Sequence, residues 1–273
     1  MIESRPSAQH IWPGFPTASP YLEKFGLKFT DGGPHISRTM MLAELDVVLG
    51  VVPPSGNCDY RAAILQRNVL GKTTDSTRKE SLRRLRELYA LDDAVPIFGL
   101  MRKLHAMDVV SLPELAVQVA WSRDPLFRAT TGALMNASVG ERVETASLAM
   151  GIENAFTGKY SEISVEQTAR HAASSWTQSG HLVGRTKKIR RLVQPRSAAV
   201  TMALFLGDIA GFRGAAAFSN PWCRLLDLSP ERARAMGYEA HRAGLLTLRA
   251  VGDVVELSFP LFSEFRGKSD ECD

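Results

Sequence analysis

The succession of helix start signals along this 273-residue chain constrains its fold more than any other feature. A side-chain oxygen just ahead of an apolar-periodic run accepts a hydrogen bond from an otherwise unpaired N–H of the first turn. Ser111 with Glu114, Ser138 with Glu141 and Ser164 with Gln167 have the capping-box spacing. Ser229-Pro230-Glu231 puts proline in a first turn, where its missing N–H costs nothing. With the apolar spacing, these signals predict helices near 37–50, 58–68, 75–91, 95–106, 112–122, 125–136, 139–150, 164–178, 182–193, 197–211 and 230–243. The β signal comes last: Leu245, Thr247, Arg249 and Val254, Glu256, Ser258 flank Gly252-Asp253 as a tight hairpin. No strand–helix–strand alternation accompanies it, which argues against a doubly wound sheet.

The expected fold is mainly α: a multi-helix bundle with a C-terminal winged-helix-like helix plus β-hairpin. Three parts are expected, an extended N-terminal arm over 1–34, a helical domain over 35–195 and a C-terminal helical, winged-helix-like domain over 196–273. The arm is rich in Pro, Gly and Ser and carries Trp12, Phe15, Tyr21, Phe25 and Phe29, by which it would pack down.

The longest apolar stretch, Ala198 to Phe212, is 15 residues with Thr201 and Asp208 inside it, short of the roughly 20 a membrane span needs. Met1 to Pro20 carries Glu3, prolines and no apolar run of the signal-peptide kind, so the expected location is the cytoplasm. Cys58, Cys223 and Cys272 are an odd count without a C-x-x-C pair, fitting a reducing compartment. The six histidines stand apart, and neither a metal nor another cofactor is expected.

Several motifs invite chemistry and lack its companions. Gly71-Lys72-Thr73 resembles the end of a P-loop, but Gln66 stands where the first glycine belongs and helix rather than strand precedes it. Ser76-Thr77-Arg78-Lys79 spells S-x-x-K without S-D-N or K-T-G, and capping by Asp75 or Ser76 explains it. Ser174 and Ser175 lie near His171 and His181 without a nucleophile elbow or a third orienting group. Asp208 and Glu239 are lone carboxylates that sequence cannot pair.

Charge distribution says more. Net charge is +4, yet Thr168 to Gly207 holds no Asp or Glu and seven cations, Arg170, Arg185, Lys187, Lys188, Arg190, Arg191 and Arg196. Clustered cations without local partners gain attraction and counterion release from an anionic polymer. On the predicted helix 182–193, Leu182, Ile189, Leu192 and Val193 share a face and the cations spread opposite. Trp176 beside it is either a stacking platform or a core anchor. On helix 75–91, Leu82, Leu85, Leu88 and Tyr89 form the packing side while Arg78, Lys79, Arg83 and Arg86 supply cations. Glu80 and Glu87 flank that stripe, so a solvated face with local ion pairs explains it equally well. Helix 230–243 carries Arg232, Arg234, Tyr238, His241 and Arg242 ahead of the hairpin, the element order of a winged helix.

Three stretches together resemble BrxA, the small helical protein of bacterial BREX phage-defence systems. They are Phe29-Thr30-Asp31-Gly32-Gly33-Pro34-His35 through Met41; Asn68-Val69-Leu70-Gly71-Lys72 through the Arg-rich helix to Tyr89; and Ser174-Ser175-Trp176-Thr177-Gln178-Ser179-Gly180-His181-Leu182 into Lys187-Lys188-Ile189-Arg190-Arg191. The resemblance covers about Phe29 to Phe212, and about Asn220 to Asp273 departs from it. It implies a cytoplasmic, non-enzymatic, DNA-binding helical protein, and the likening of the family's helical part to NusB-type folds adds an RNA-binding alternative. It also implies a methyltransferase, an ATPase and a phosphatase-like protein as partners.

The resulting expectation is a sequence-tolerant binder of double-stranded DNA in antiviral defence. Its contacts would be Arg78, Lys79, Arg83, Arg86, Arg185, Lys187, Lys188, Arg190, Arg191 and Arg196, made chiefly to phosphate. The rival is an assembly protein whose basic surfaces dock acidic partners. An enzyme whose site is assembled from distant residues is a third reading.

Overall fold

Leu112–Arg123 and Ser197–Ile209 are helices buried on nearly every side, and the other elements are arranged around them. The computed structural model describes residues 14–52, 59–251 and 254–266. Trp12, Cys58, Cys272 and the Gly252-Asp253 turn lie outside the described residues. In chain order the elements are α1 (Pro20–Phe25), α2 (Leu42–Val51), α3 (Asp75–Tyr89), α4 (Pro96–Met107), α5 (Leu112–Arg123), α6 (Pro125–Ala129), α7 (Thr131–Met135), α8 (Thr145–Ala155) and α9 (Glu162–Gln178). A short hairpin follows, β1 (Leu182–Val183) and β2 (Ile189–Arg190), then α10 (Ser197–Ile209), α11 (Pro221–Leu225), α12 (Pro230–Arg242), β3 (Thr247–Val251) and β4 (Val254–Ser258). The chain is mainly helical with a C-terminal hairpin, as expected from the sequence.

α5 packs on α3, α4 and α10; α10 packs on α4 and α5 and also on α11 and, most of all, α12. One apolar core therefore runs from Phe15 to Phe262, and the boundary expected at 195/196 does not separate two cores. The described part of the arm, 14–34, holds the helix α1 in place of the expected extended segment, and it packs through aromatics. Phe15 lies edge-on to Trp121 at 5.1 Å and Phe25 is buried, while Tyr21 stays exposed and donates its hydroxyl proton to the Arg266 carbonyl.

Ser229 caps α12 as its motif predicts, accepting from the Arg232 N–H at 3.2 Å. Elsewhere the caps shift. Thr74, one residue ahead of Asp75, caps α3 in a reciprocal box with Thr77. Ser161 caps α9, so Ser164 falls in its first turn. The expected helix 125–136 breaks at Thr130, whose hydroxyl donates to the Phe127 carbonyl and accepts from the Trp176 indole. The first helical expectation, 37–50, starts only at Leu42. Within 58–68, the described residues form a π-helical turn, Ala62–Gln66.

The largest correction concerns 182–193, a β-hairpin rather than a helix. Gly184 turns it at φ +102, and a Cβ there would stand 2.1 Å from the Lys187 carbonyl oxygen. The hairpin also explains why α8 starts late. Backbone bonds from Gly140 N to Arg190 O, Val143 N to Lys188 O and Arg190 N to Glu141 O recruit 140–143 alongside β2. The Ser138–Glu141 pair therefore closes a turn, with Ser138 N donating to the Glu141 carboxylate at 2.7 Å, instead of opening a helix at 139. β3 and β4 pair antiparallel from Thr247 with Ser258 to Val251 with Val254.

Candidate nucleic-acid interface

The hairpin sorts the cations of its segment by burial. Arg190 is 4% exposed and its guanidinium grips the Asp227 carboxylate with both terminal nitrogens. Asp227 also accepts from the Val193 N–H at 3.0 Å. Arg190, expected to contact nucleic acid, is instead the buried anchor of the hairpin. His181 lies behind it, with Nδ1 2.8 Å from Ser179 Oγ and Nε2 2.7 Å from the Leu225 carbonyl oxygen. Burial pushes the His181 pKa down to about 4, so this imidazole is neutral and adds no cation to the surface. Lys188 is half-buried, donating to Thr177 Oγ1 at 2.9 Å and to the Gly184 carbonyl at 3.0 Å. Arg185, Lys187 and Arg191 remain exposed, with no carboxylate partner among the described residues.

α3 treats its cations differently. Lys79 pairs with Asp75 at 2.6 Å, and Arg83 and Arg84 both bind Glu80 and Glu87. Hydrogen bonds from Arg83, joined by Arg84, hold Glu80 at about 2. Arg78 turns back to donate to the Leu65 carbonyl at 3.0 Å. Arg86 alone of the four expected contacts is exposed without a carboxylate partner among the described residues. Arg196 donates through Nε to Asp108 at 2.6 Å, tying the start of α10 to the end of α4. The two basic segments are held by different neighbours: α3 rests on α5 and the π-turn, the hairpin on α9 and the 140–143 strip.

Sequence reasoning passed over Lys28 and Arg61. The fold brings both beside Lys79, Arg83 and Arg86, where they line a cleft of about 450 Å³ floored by Leu65 and Leu82. They are 33 residues apart in sequence, and no local pattern links them.

Trp176 is fully buried and donates its indole N–H to Thr130 Oγ1 at 2.9 Å, a core anchor rather than a stacking platform. On α12, Ala233, Met236 and Ala240 face inward while Arg232, Arg234, His241 and Arg242 are exposed. Lys72 of the P-loop-like triplet is held by Glu44 at 3.0 Å, and Asp208 is buried between Arg213 and Arg266.

One arrangement has the order of a hydrolytic triad. His35 Nδ1 is 2.7 Å from Asp124 Oδ2 and its Nε2 is 2.8 Å from Ser175 Oγ. Asp124 also accepts from the His35 and Phe127 N–H groups. Ser175 Oγ accepts from Met40 N at 2.8 Å and donates to the His171 carbonyl at 2.9 Å. All three side chains are at 0% exposure, and the His35 ring stacks on Phe127 at 4.2 Å. A nucleophile must reach its substrate. Here the chain of bonds pins residues 33–41 to α6 and α9. Gly33 is required for it, because a Cβ at that position would stand 1.9 Å from Asp124 Oδ1.

No family model and no curated protein matches the chain.

Proposed function

We propose that this is a non-enzymatic, sequence-tolerant double-stranded DNA-binding protein that grips phosphate with the exposed cations of its β1–β2 hairpin and the residue that follows it. The supporting observation is the set of three exposed cations without carboxylate partners among the described residues, Arg185, Lys187 and Arg191, on a support locked by the Arg190–Asp227 pair. A rigid support lowers the entropy lost when those side chains settle on a polyanion. The proposal takes from the sequence resemblance to BrxA a BREX-type antiviral system of the cytoplasm, with a methyltransferase, an ATPase and a phosphatase-like protein as partners. It also brings a NusB-like reading of the helical part. In the same proposal α12 and the β3–β4 hairpin form a winged-helix-like module, offering Arg232, Arg234 and Arg242 as secondary contacts.

Fluorescence anisotropy on a short random duplex across a salt series tests this. Three phosphate contacts give a log–log slope of about −3. Arg185→Glu with Lys187→Glu weakens binding and flattens the slope by about 2. Absence of binding at low salt, or an unchanged slope in the variant, overturns the proposal.

A further inference from the structure

The cleft beside α3 has a composition that the DNA reading does not use. Five cations, Lys28, Arg61, Lys79, Arg83 and Arg86, surround a floor made by Leu65 and Leu82, with Glu87 the single acid in the lining. Lys79 and Arg83 already have carboxylate partners on their own helix. Arg61 and Arg86 have none among the described residues, and Lys28 reaches only the Glu87 backbone carbonyl, at 3.4 Å. Burial, with the neighbouring Arg123, holds the Lys28 pKa below the usual lysine value, and Glu87 and Asp124 offset only part of that.

We propose that this cleft docks an acidic amphipathic segment of a protein partner. Its apolar side chain would sit on Leu65 and Leu82 and its carboxylates on Arg61, Arg86 and Lys28. Three features favour that occupant over other anions. A duplex presents phosphates on a convex surface and gains nothing from a leucine floor. A nucleotide site would present an aromatic ring or a helix N-terminus, whereas the lining has no aromatic residue and begins more than a turn inside α3, at Lys79. A helical peptide laid in a groove, by contrast, uses one apolar stripe flanked by charge, the complement of this lining.

The site is separable from the hairpin, so the proposal stands or falls independently of DNA binding. The probe is a labelled acidic peptide of about four helical turns with leucines at i, i+3, i+4 and i+7, set against the same peptide with serine for leucine. The full chain is expected to bind the leucine peptide, with affinity reduced about tenfold by either Arg61→Glu or Arg86→Glu, one lost charge pair each. Arg185→Glu/Lys187→Glu is expected to leave peptide binding unchanged. Both cleft substitutions are at exposed positions, and urea unfolding confirms that the variants are folded. Equal binding of the serine peptide, insensitivity to both cleft substitutions, or competition by duplex DNA that Arg61→Glu abolishes would each overturn it.

Discussion

On α3, acids one turn away take up Lys79, Arg83 and Arg84 and leave Arg86 without a carboxylate partner among the described residues; on the hairpin, 40 residues of acid-free sequence leave only a distant carboxylate, Asp227, and it takes a single cation. Equal numbers of arginine and lysine thus give different surfaces. Local pairs at i, i+3 and i+4 stabilise a helix by tenths of a kcal/mol and remove charge from the surface. The hairpin instead buries one ion pair for rigidity and keeps Arg185, Lys187 and Arg191 available. A count of basic residues therefore predicts less than their distance from the nearest acid.

The strongest way to break this comparison is to remove the hairpin's carboxylate. Asp227→Ala leaves the Arg190 guanidinium buried without a countercharge, which costs about 3–5 kcal/mol in such settings. Urea unfolding measures the loss, and hydrogen exchange should show it as early opening of 182–190. A loss under about 1 kcal/mol would mean that Arg190 swings out freely, and the hairpin would then no longer differ in kind from α3.

His181 supplies a second, pH-dependent probe of the same anchor. Its folded pKa, about 4, is depressed below the ordinary 6.5, so the fold favours the neutral ring. The associated stability is present above pH 6.5 and is lost as pH falls toward 4, by on the order of 3 kcal/mol if fully expressed. Thermal unfolding between pH 7 and 4.5 measures the slope. In His181→Gln the part of the slope due to this residue should vanish, whatever the variant's absolute stability.

What sequence reveals follows the same division between near and far. The periodicity of Leu82, Leu85 and Leu88 and the Ser229 cap are local, and α3 and α12 lie where those residues predict. The spacing of Leu182, Ile189, Leu192 and Val193 also satisfies a helix, but Gly184 at the turn and the 140–143 strip decide for strands. Arg190 lies 37 residues from Asp227, and His35 lies 89 from Asp124 and 140 from Ser175, so no window of sequence exhibits those partners. The candidate surface was legible as a charge run; which of its cations are available is a tertiary fact.

Binding measurements sharpen the contrast at lower energy. Arg185→Glu with Lys187→Glu should weaken duplex binding at least about tenfold while leaving the unfolding midpoint unchanged, because neither side chain has a carboxylate partner to lose among the described residues. Arg83→Glu is expected to change DNA affinity less, since that guanidinium is already occupied by Glu80 and Glu87. If Arg83→Glu proves the more damaging of the two, the order of the surfaces is reversed.

The smallest effect is the most discriminating, because it tries to turn one surface into the other. Glu80 is one of two acids shared by Arg83 and Arg84, each 2.8 Å away. Glu80→Gln removes the charge and keeps the shape, so stability should fall by no more than about 1 kcal/mol, as for other partly exposed pairs. Arg83 is thereby released to solvent, with Glu87 as its remaining partner. If unpaired cations make a phosphate surface, the variant should bind duplex DNA slightly more tightly, with a salt slope steeper by up to about 1. An unchanged slope would show that α3 lies out of reach of a duplex engaged by the hairpin, leaving its cations to the neighbouring cleft.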